Sequence, residues 1–142
     1  MNTIAYHIAS LLQAIENCRS ASNPNPEWET RHARRLSRFI KEYLPSGSGW
    51  DCGTKLDTDK STPTRLVFYG QFHHMDDTGS YDGWTQHTIT AHPAFDGVLL
   101  TISGQNRNDV KYHLHELFET SLTHRLDRLA IDALYTREET RT

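Results

Sequence analysis

Three histidines, three aspartates, a tyrosine and a tryptophan fall within one short stretch, FHHMDDTGSYDGWTQH, residues 72–87. A histidine that titrates near neutral pH is a ready general acid–base or metal ligand. Carboxylates such as Asp76, Asp77 and Asp82 suit a hard cation. Their spacing does not match a calcium-binding loop, and Asp with Gly79 and Gly83 is also the ordinary chemistry of a hairpin turn. A second concentration is YHLHELFE, residues 112–119. On a helix His115 and Glu119 are four apart and share a face, which makes them candidate metal ligands. The pattern is HExxE, without the second histidine of the zinc-protease signature. A third ligand would have to come from His124 or His74, and the alternative is a solvated charged helix face.

Other chemistries lack their patterns. The sequence has no GxSxG nucleophile elbow and no GxGxxG or GK[ST] phosphate loop. PSGSGWD, residues 45–51, could bend backbone amides around a small anion, but it reads first as a helix terminator followed by a turn. Cys18 and Cys52 are far apart and form neither a disulfide framework nor a CxxC knuckle. They read as reduced thiols in a cytoplasmic protein. No catalytic residue set completes itself, and no cofactor is expected.

The elements that position these residues follow from periodicity. Ile4, Ile8, Leu11, Leu12 and Ile15 recur at three and four, the stripe of an amphipathic helix. After SASNPNPEW a second helix begins near Glu27, with Trp28, His32, Leu36, Phe39, Ile40 and Tyr43 on one face and Arg31, Arg34, Arg35, Arg38 and Lys41 on the other. A short connection makes the pair an αα-hairpin. The period then changes to two. An edge strand is expected near 55–57, then strands in TRLVFYGQFHHM, WTQHTITAH and GVLLTISG. A last helix follows, with Asn106 as its expected N-cap and Val110, Leu114, Leu117, Phe118 and Leu122 as its buried stripe. The tail either extends this helix or forms another, and residues 137–142 are expected to fray.

The order predicts a single α+β domain. Residues 1–45 form the N-terminal αα-hairpin and 46–104 a three- to four-stranded antiparallel sheet. Residues 105–136 form a C-terminal helical segment packed on one sheet face. The pleat sends Leu66, Phe68, Phe72, Ile89, Val98, Leu100 and Ile102 toward the helices. Tyr69, Gln71, His73, Gln86, Thr88, Thr90 and Thr101 then face the other way. Phe72 and His87 share the core face, so the three histidines of residues 72–87 divide between faces unless a bulge intervenes. A loop of about seven to ten residues is expected between the two strands. The residues chosen as a ligand or partner surface are Tyr69, His73, Tyr81, Trp84, Gln86 and His87. Arg107 would add an anion contact at a helix N-terminus.

With 142 residues and a net charge of −3, the chain has a core of its own and no strong electrostatic pull toward nucleic acid or an anionic membrane. The basic face of the second helix is flanked by Glu27, Glu29 and Glu42, which argues against nucleic acid. No apolar run reaches membrane-spanning length. LPSGSGWDCGTKLD, FHHMDDTGSYDGWTQHTITAHPAF and ISGQNRNDVKYHLHELF together resemble small proteins carried by bacteriophages, prophages and plasmids, over residues 27–122. That resemblance implies a mobile-element accessory protein in the host cytoplasm that counteracts host defence. It would do so by binding a host defence protein or by sequestering a small nucleotide-like signal. It brings no catalytic residues. The main reading is therefore a non-enzymatic binding or inhibitor protein. A small metal-dependent hydrolase using the histidine and aspartate hairpin is the first alternative, and a structural or assembly subunit that forms homo-oligomers is the second.

Overall fold

The computed structural model describes residues 3–22, 24–44, 51–94 and 97–140, with the side chains of 51–54 and 137–140 left aside. The expected terminator at 45–50, the Cys52 side chain and, of the tail expected to fray, residues 141–142 lie outside that description; the backbone of 137–140 is helical.

Helix α1 spans Ile4–Ser20 and α2 spans Pro26–Tyr43. Thr3 caps α1 by accepting the Tyr6 amide, and Asn25 caps α2 by accepting the Trp28 amide, each satisfying a donor that a helix start leaves orphaned. Pro26 occupies the first turn of α2, where its missing N–H costs nothing. Helix α2 stops at Leu44, which is extended at φ −101° and ψ 157° because Pro45 follows it. The two helices form the expected αα-hairpin, joined on the surface by Arg19 and Glu29 at 2.5 Å.

The sheet is antiparallel with strands in chain order: β1 Asp51–Leu56, β2 Leu66–Met75, β3 Tyr81–Pro93 and β4 Val98–Ser103. The edge strand expected at 55–57 thus begins earlier. The register pairs Leu56 with Phe68, Phe68 with Ile89, and Ile89 with Ile102. These rows face the helices. Leu66, Phe68, Ile89 and Ala91 are fully buried, in one core with Ile4, Ile8, Leu36, Phe39, Leu114 and Phe118. The Phe68 and Phe118 rings meet at 5.7 Å between centroids, a tilted contact that adds to the area they bury.

Strand β4 pairs only with Thr88–Pro93, and β1 reaches only to Phe72. Among the described residues, β2 and β3 pair beyond those points with each other alone. The connection at its tip is residues 76–80, shorter than expected. Asp76 closes it. One carboxylate oxygen accepts the amides of Thr78 at 2.9 Å and Ser80 at 3.0 Å and the Thr78 hydroxyl at 2.6 Å. These donors hold the Asp76 carboxyl below the usual carboxylate range. Gly79, at φ 85°, supplies the left-handed position this tight turn requires.

The C-terminal segment forms two helices, α3 Asn108–Thr123 and α4 Arg128–Thr140. The N-cap of α3 is Arg107, not Asn106, and no side chain caps it. Gln105 does the local work instead: it is buried, accepts the Arg107 amide at 3.1 Å and donates to the Thr85 hydroxyl at 2.8 Å. That side chain ties the start of α3 to β3 where β4 has ended. No helix among the described residues is long and apolar enough to cross a membrane.

Candidate functional site

The outer face of the β2–β3 hairpin gathers most of the expected surface. Tyr69 lies opposite Thr88, Gln71 opposite Gln86 and His73 opposite Trp84. Tyr81 and Trp84 are three residues apart, so a regular strand would send them to opposite faces. The register shifts between His73 and Met75, where Asp82 and Gly83 together oppose His74. Gly83 has φ 90°, the glycine-dependent form of a β-bulge. The extra residue turns Tyr81 to the same side as Trp84 and His73. The Tyr81 and His73 rings stand 5.4 Å apart between centroids, and Tyr81 is 62% and Trp84 50% exposed.

His74 points inward. Its ring contacts Phe72 at 5.4 Å, and its Nε2 lies 2.9 Å from the Thr85 hydroxyl. His87, opposite Gly70, is fully buried. The histidines therefore do divide between faces. His87, included in the sequence-derived surface, shares no accessible face with Tyr69, His73, Tyr81, Trp84 and Gln86, because its strand parity sends it into the core. Arg107 does not join that surface either. Its guanidinium pairs with Asp109 at 2.8 Å, so the cation meant for an outside anion already has a partner. The same contact holds the Asp109 carboxyl below its ordinary range.

Two concave features adjoin this face. A shallow cleft of about 370 Å³ is lined by Tyr69, Gln86, Thr88 and the 57–60 turn. Its floor includes Val67, which parity places on the outer face but which is buried. The reason is local: Ser61 Oγ accepts the Val67 amide at 2.9 Å, and the Asp57 amide donates to the Val67 carbonyl at 2.8 Å, folding the turn over it. A larger groove of about 780 Å³ runs between the αα-hairpin and the β1–β2 connection. Leu12, Ile15, Leu36 and Ile40 form one wall, with Lys41 and Lys55 also lining it.

The helix candidates for a metal, His115 and Glu119, do meet, at 3.2 Å, on an exposed face of α3. Among the described residues no three His, Cys, Asp or Glu side chains converge as a ligand set.

One polar cluster escaped the sequence reading. His7 of α1 and the hydroxyl of Tyr135 of α4 share a hydrogen bond. The His7 ring also packs on Phe39 at 4.4 Å, and the Arg35 guanidinium lies over the Tyr135 ring at 5.2 Å. Burial, aided by the Arg128 charge, pushes His7 from its ordinary 6.5 down to about 4, so its imidazole is neutral at physiological pH. Burial likewise raises the Tyr135 hydroxyl, which stays protonated. A neutral pair of this kind latches helices together. Its signal was present in the sequence: His7 stands three after Ile4 and four before Leu11, inside the apolar stripe of α1.

Comparison of the chain with family models, with curated proteins and with solved structures gave no match. Exposed aromatic rings with amide and imidazole groups between them supply apolar contact area and directional hydrogen bonds at once. The hairpin from Gly70 to Gln86 carries Asp76, Asp77 and Asp82 and neither lysine nor arginine, so it is acidic as well as aromatic.

Proposed function

We propose that this chain is a non-enzymatic binding protein that docks a partner protein on the outer face of the β2–β3 hairpin. The observation that carries the reading is the Asp82–Gly83 bulge, which aligns Tyr81, Trp84 and His73 on one exposed face. Large aromatic side chains in the open are the anchors that dominate protein interfaces. Three nearby aspartates favour a partner with a basic surface and work against a phosphate-bearing ligand at this spot. The resemblance to proteins of phages and plasmids supports reading that partner as a host defence protein and the chain as its inhibitor, acting in the host cytoplasm. Among the described residues, a hydrolase at this hairpin lacks a converged set of metal ligands, since His73 and His74 face opposite ways.

The test is direct. The chain is used to isolate a partner from host extract, and the identified protein is then titrated calorimetrically against wild type and the Tyr81→Ala/Trp84→Ala variant. Loss of about 2 kcal/mol or more, the scale of interface anchors, supports the reading. Equal affinity for a folded double variant refutes it.

The 780 Å³ groove favours a second reading, sequestration of a small nucleotide-like signal, because its volume suits a small ligand and Lys41 and Lys55 line it. Nucleotide binding weakened by Lys41→Ala and Lys55→Ala but untouched by Tyr81→Ala/Trp84→Ala would select that reading over the first.

A further inference from the structure

The two edges of the sheet are built differently. The β1 edge carries the protections that keep strands from pairing with strangers: its register slips between Cys52 and Thr54, and Lys55 is exposed on it. The β4 edge carries none. VLLTIS has no charge, no proline and no register shift against β3. Among the described residues, no hydrogen bond other than the β3 ladder reaches the backbone of Val98–Ser103. Nothing among the described residues pairs with the row of amides and carbonyls on its far side.

The side chains agree. Val98 and Ile102 point toward the helices yet stay only partly buried, although Ile89, the β3 partner of Ile102, is sealed. Leu56 and Phe72 are partly buried as well, but on the β1 edge that incomplete cover comes with a register slip and a lysine, and on β4 it comes with neither. Leu99, on the outer face, is 68% exposed.

We propose that two copies of this chain join edge to edge through β4, antiparallel about a twofold axis, into one sheet twice as wide. A second copy is the occupant that fits, because the strand is self-complementary. An uncharged strand meets its own copy without like-charge repulsion, which would oppose a charged one. Directly opposed residues in an antiparallel pair lie on the same face. With the twofold axis perpendicular to the sheet, so that both helix layers lie on one side, the pairing of β4 centres on a residue, and centring on Leu100 sets Val98 of each copy against Ile102 of the other. The two incompletely covered core residues then cover one another, and Leu99 lies against Thr101 on the outer face. The interface is isologous and closes after two copies, so it leads to a dimer and not a fibre.

Sedimentation equilibrium of the full chain, with Thr101→Lys as the comparison, tests this. Thr101 is exposed on the outer face, so a lysine there leaves the core untouched, which circular dichroism verifies. The substitution brings like charges together across the axis. The wild type is expected to sediment at twice the chain mass, and the variant's dimer dissociation constant to rise at least about tenfold. A wild type that stays monomeric to about 1 mM, the weak end of specific association, overturns the proposal. So does a dimer that Thr101→Lys leaves unchanged. As a check on register, Leu99→Cys and Thr101→Cys chains are mixed and oxidised, and the linked peptide is identified by mass spectrometry. A 99–101 cross-link supports pairing about Leu100, and its absence in a population that still dimerises overturns that arrangement.

Discussion

The two faces of this sheet are made from the same strands and obey opposite rules. On the inner face Phe68, Ile89 and Ala91 are sealed under α1 and α3, and their work is packing. On the outer face Tyr69, Tyr81 and Trp84 lie in the open with His73 half-buried among them, and packing explains none of the three exposed rings. The lesson lies in how each face is specified. Alternation alone determines the inner one. The outer one depends on a single irregularity, the Asp82–Gly83 bulge, without which Tyr81 would turn inward.

The difference can be broken from either side. The largest effect is expected from Phe68→Ala, which opens a cavity against Phe118 and costs about 3–5 kcal/mol in urea denaturation. Next is Gly104→Ala. Gly104 has φ 84°, and a Cβ there would lie 2.5 Å from the Gln86 carbonyl oxygen. The left-handed backbone alone costs a side chain about 1–2 kcal/mol, and the close approach adds to it. Gly83→Ala serves as the control, because its φ is also positive but open space surrounds it. Its cost should stay near the conformational part alone, and a thermal melt that finds the two equal would deny the contact with Gln86.

A third effect is acid-dependent and belongs to the helix layer above the inner face. His7 has a folded value of about 4 against an ordinary 6.5. Between those values the unfolded chain takes up the proton first, so stability is full above about pH 6.5 and falls as pH drops through 4. Allowing for solvent screening at this half-buried site, the loss is about 1–2 kcal/mol. Urea midpoints at pH 7 and pH 4.5 should diverge more for wild type than for His7→Gln. A slope that persists unchanged in His7→Gln would assign it to other groups. The smallest effect on stability is expected at the outer face: Tyr81→Ala/Trp84→Ala should shift folding by less than about 0.5 kcal/mol per site. A large loss there would mean that the rings hold up the hairpin, not a partner.

The α+β order, the αα-hairpin and the inward row from Leu66 to Ile102 were all legible, because each rests on a period sustained over several residues. The N-cap of α3 was not. Asn106 has the right chemistry for it, but Gln105 was already committed to Thr85 and fixed the chain one residue further on. The bulge was equally hidden, since Gly83 reads as a turn residue until the register shows it inside a strand. His87 was drawn into the candidate surface by its neighbours in sequence, although its parity with Phe72 had already placed it inside. His7 was overlooked for the converse reason: a polar residue within an apolar stripe is noticed only when its partner, here Tyr135 from the far end of the chain, is brought beside it.

Among the described residues, β2 and β3 run past the last pairings of β1 and β4, and this has an evolutionary consequence. From His73 to Trp84 the two strands pair, among the described residues, only with each other, so substitutions there disturb few of the contacts described for the core. Such a segment can change its sequence quickly while the rest of the domain stays still. A protein under pressure to follow a changing target would have, in that hairpin tip, a part it could rewrite without risk to the whole.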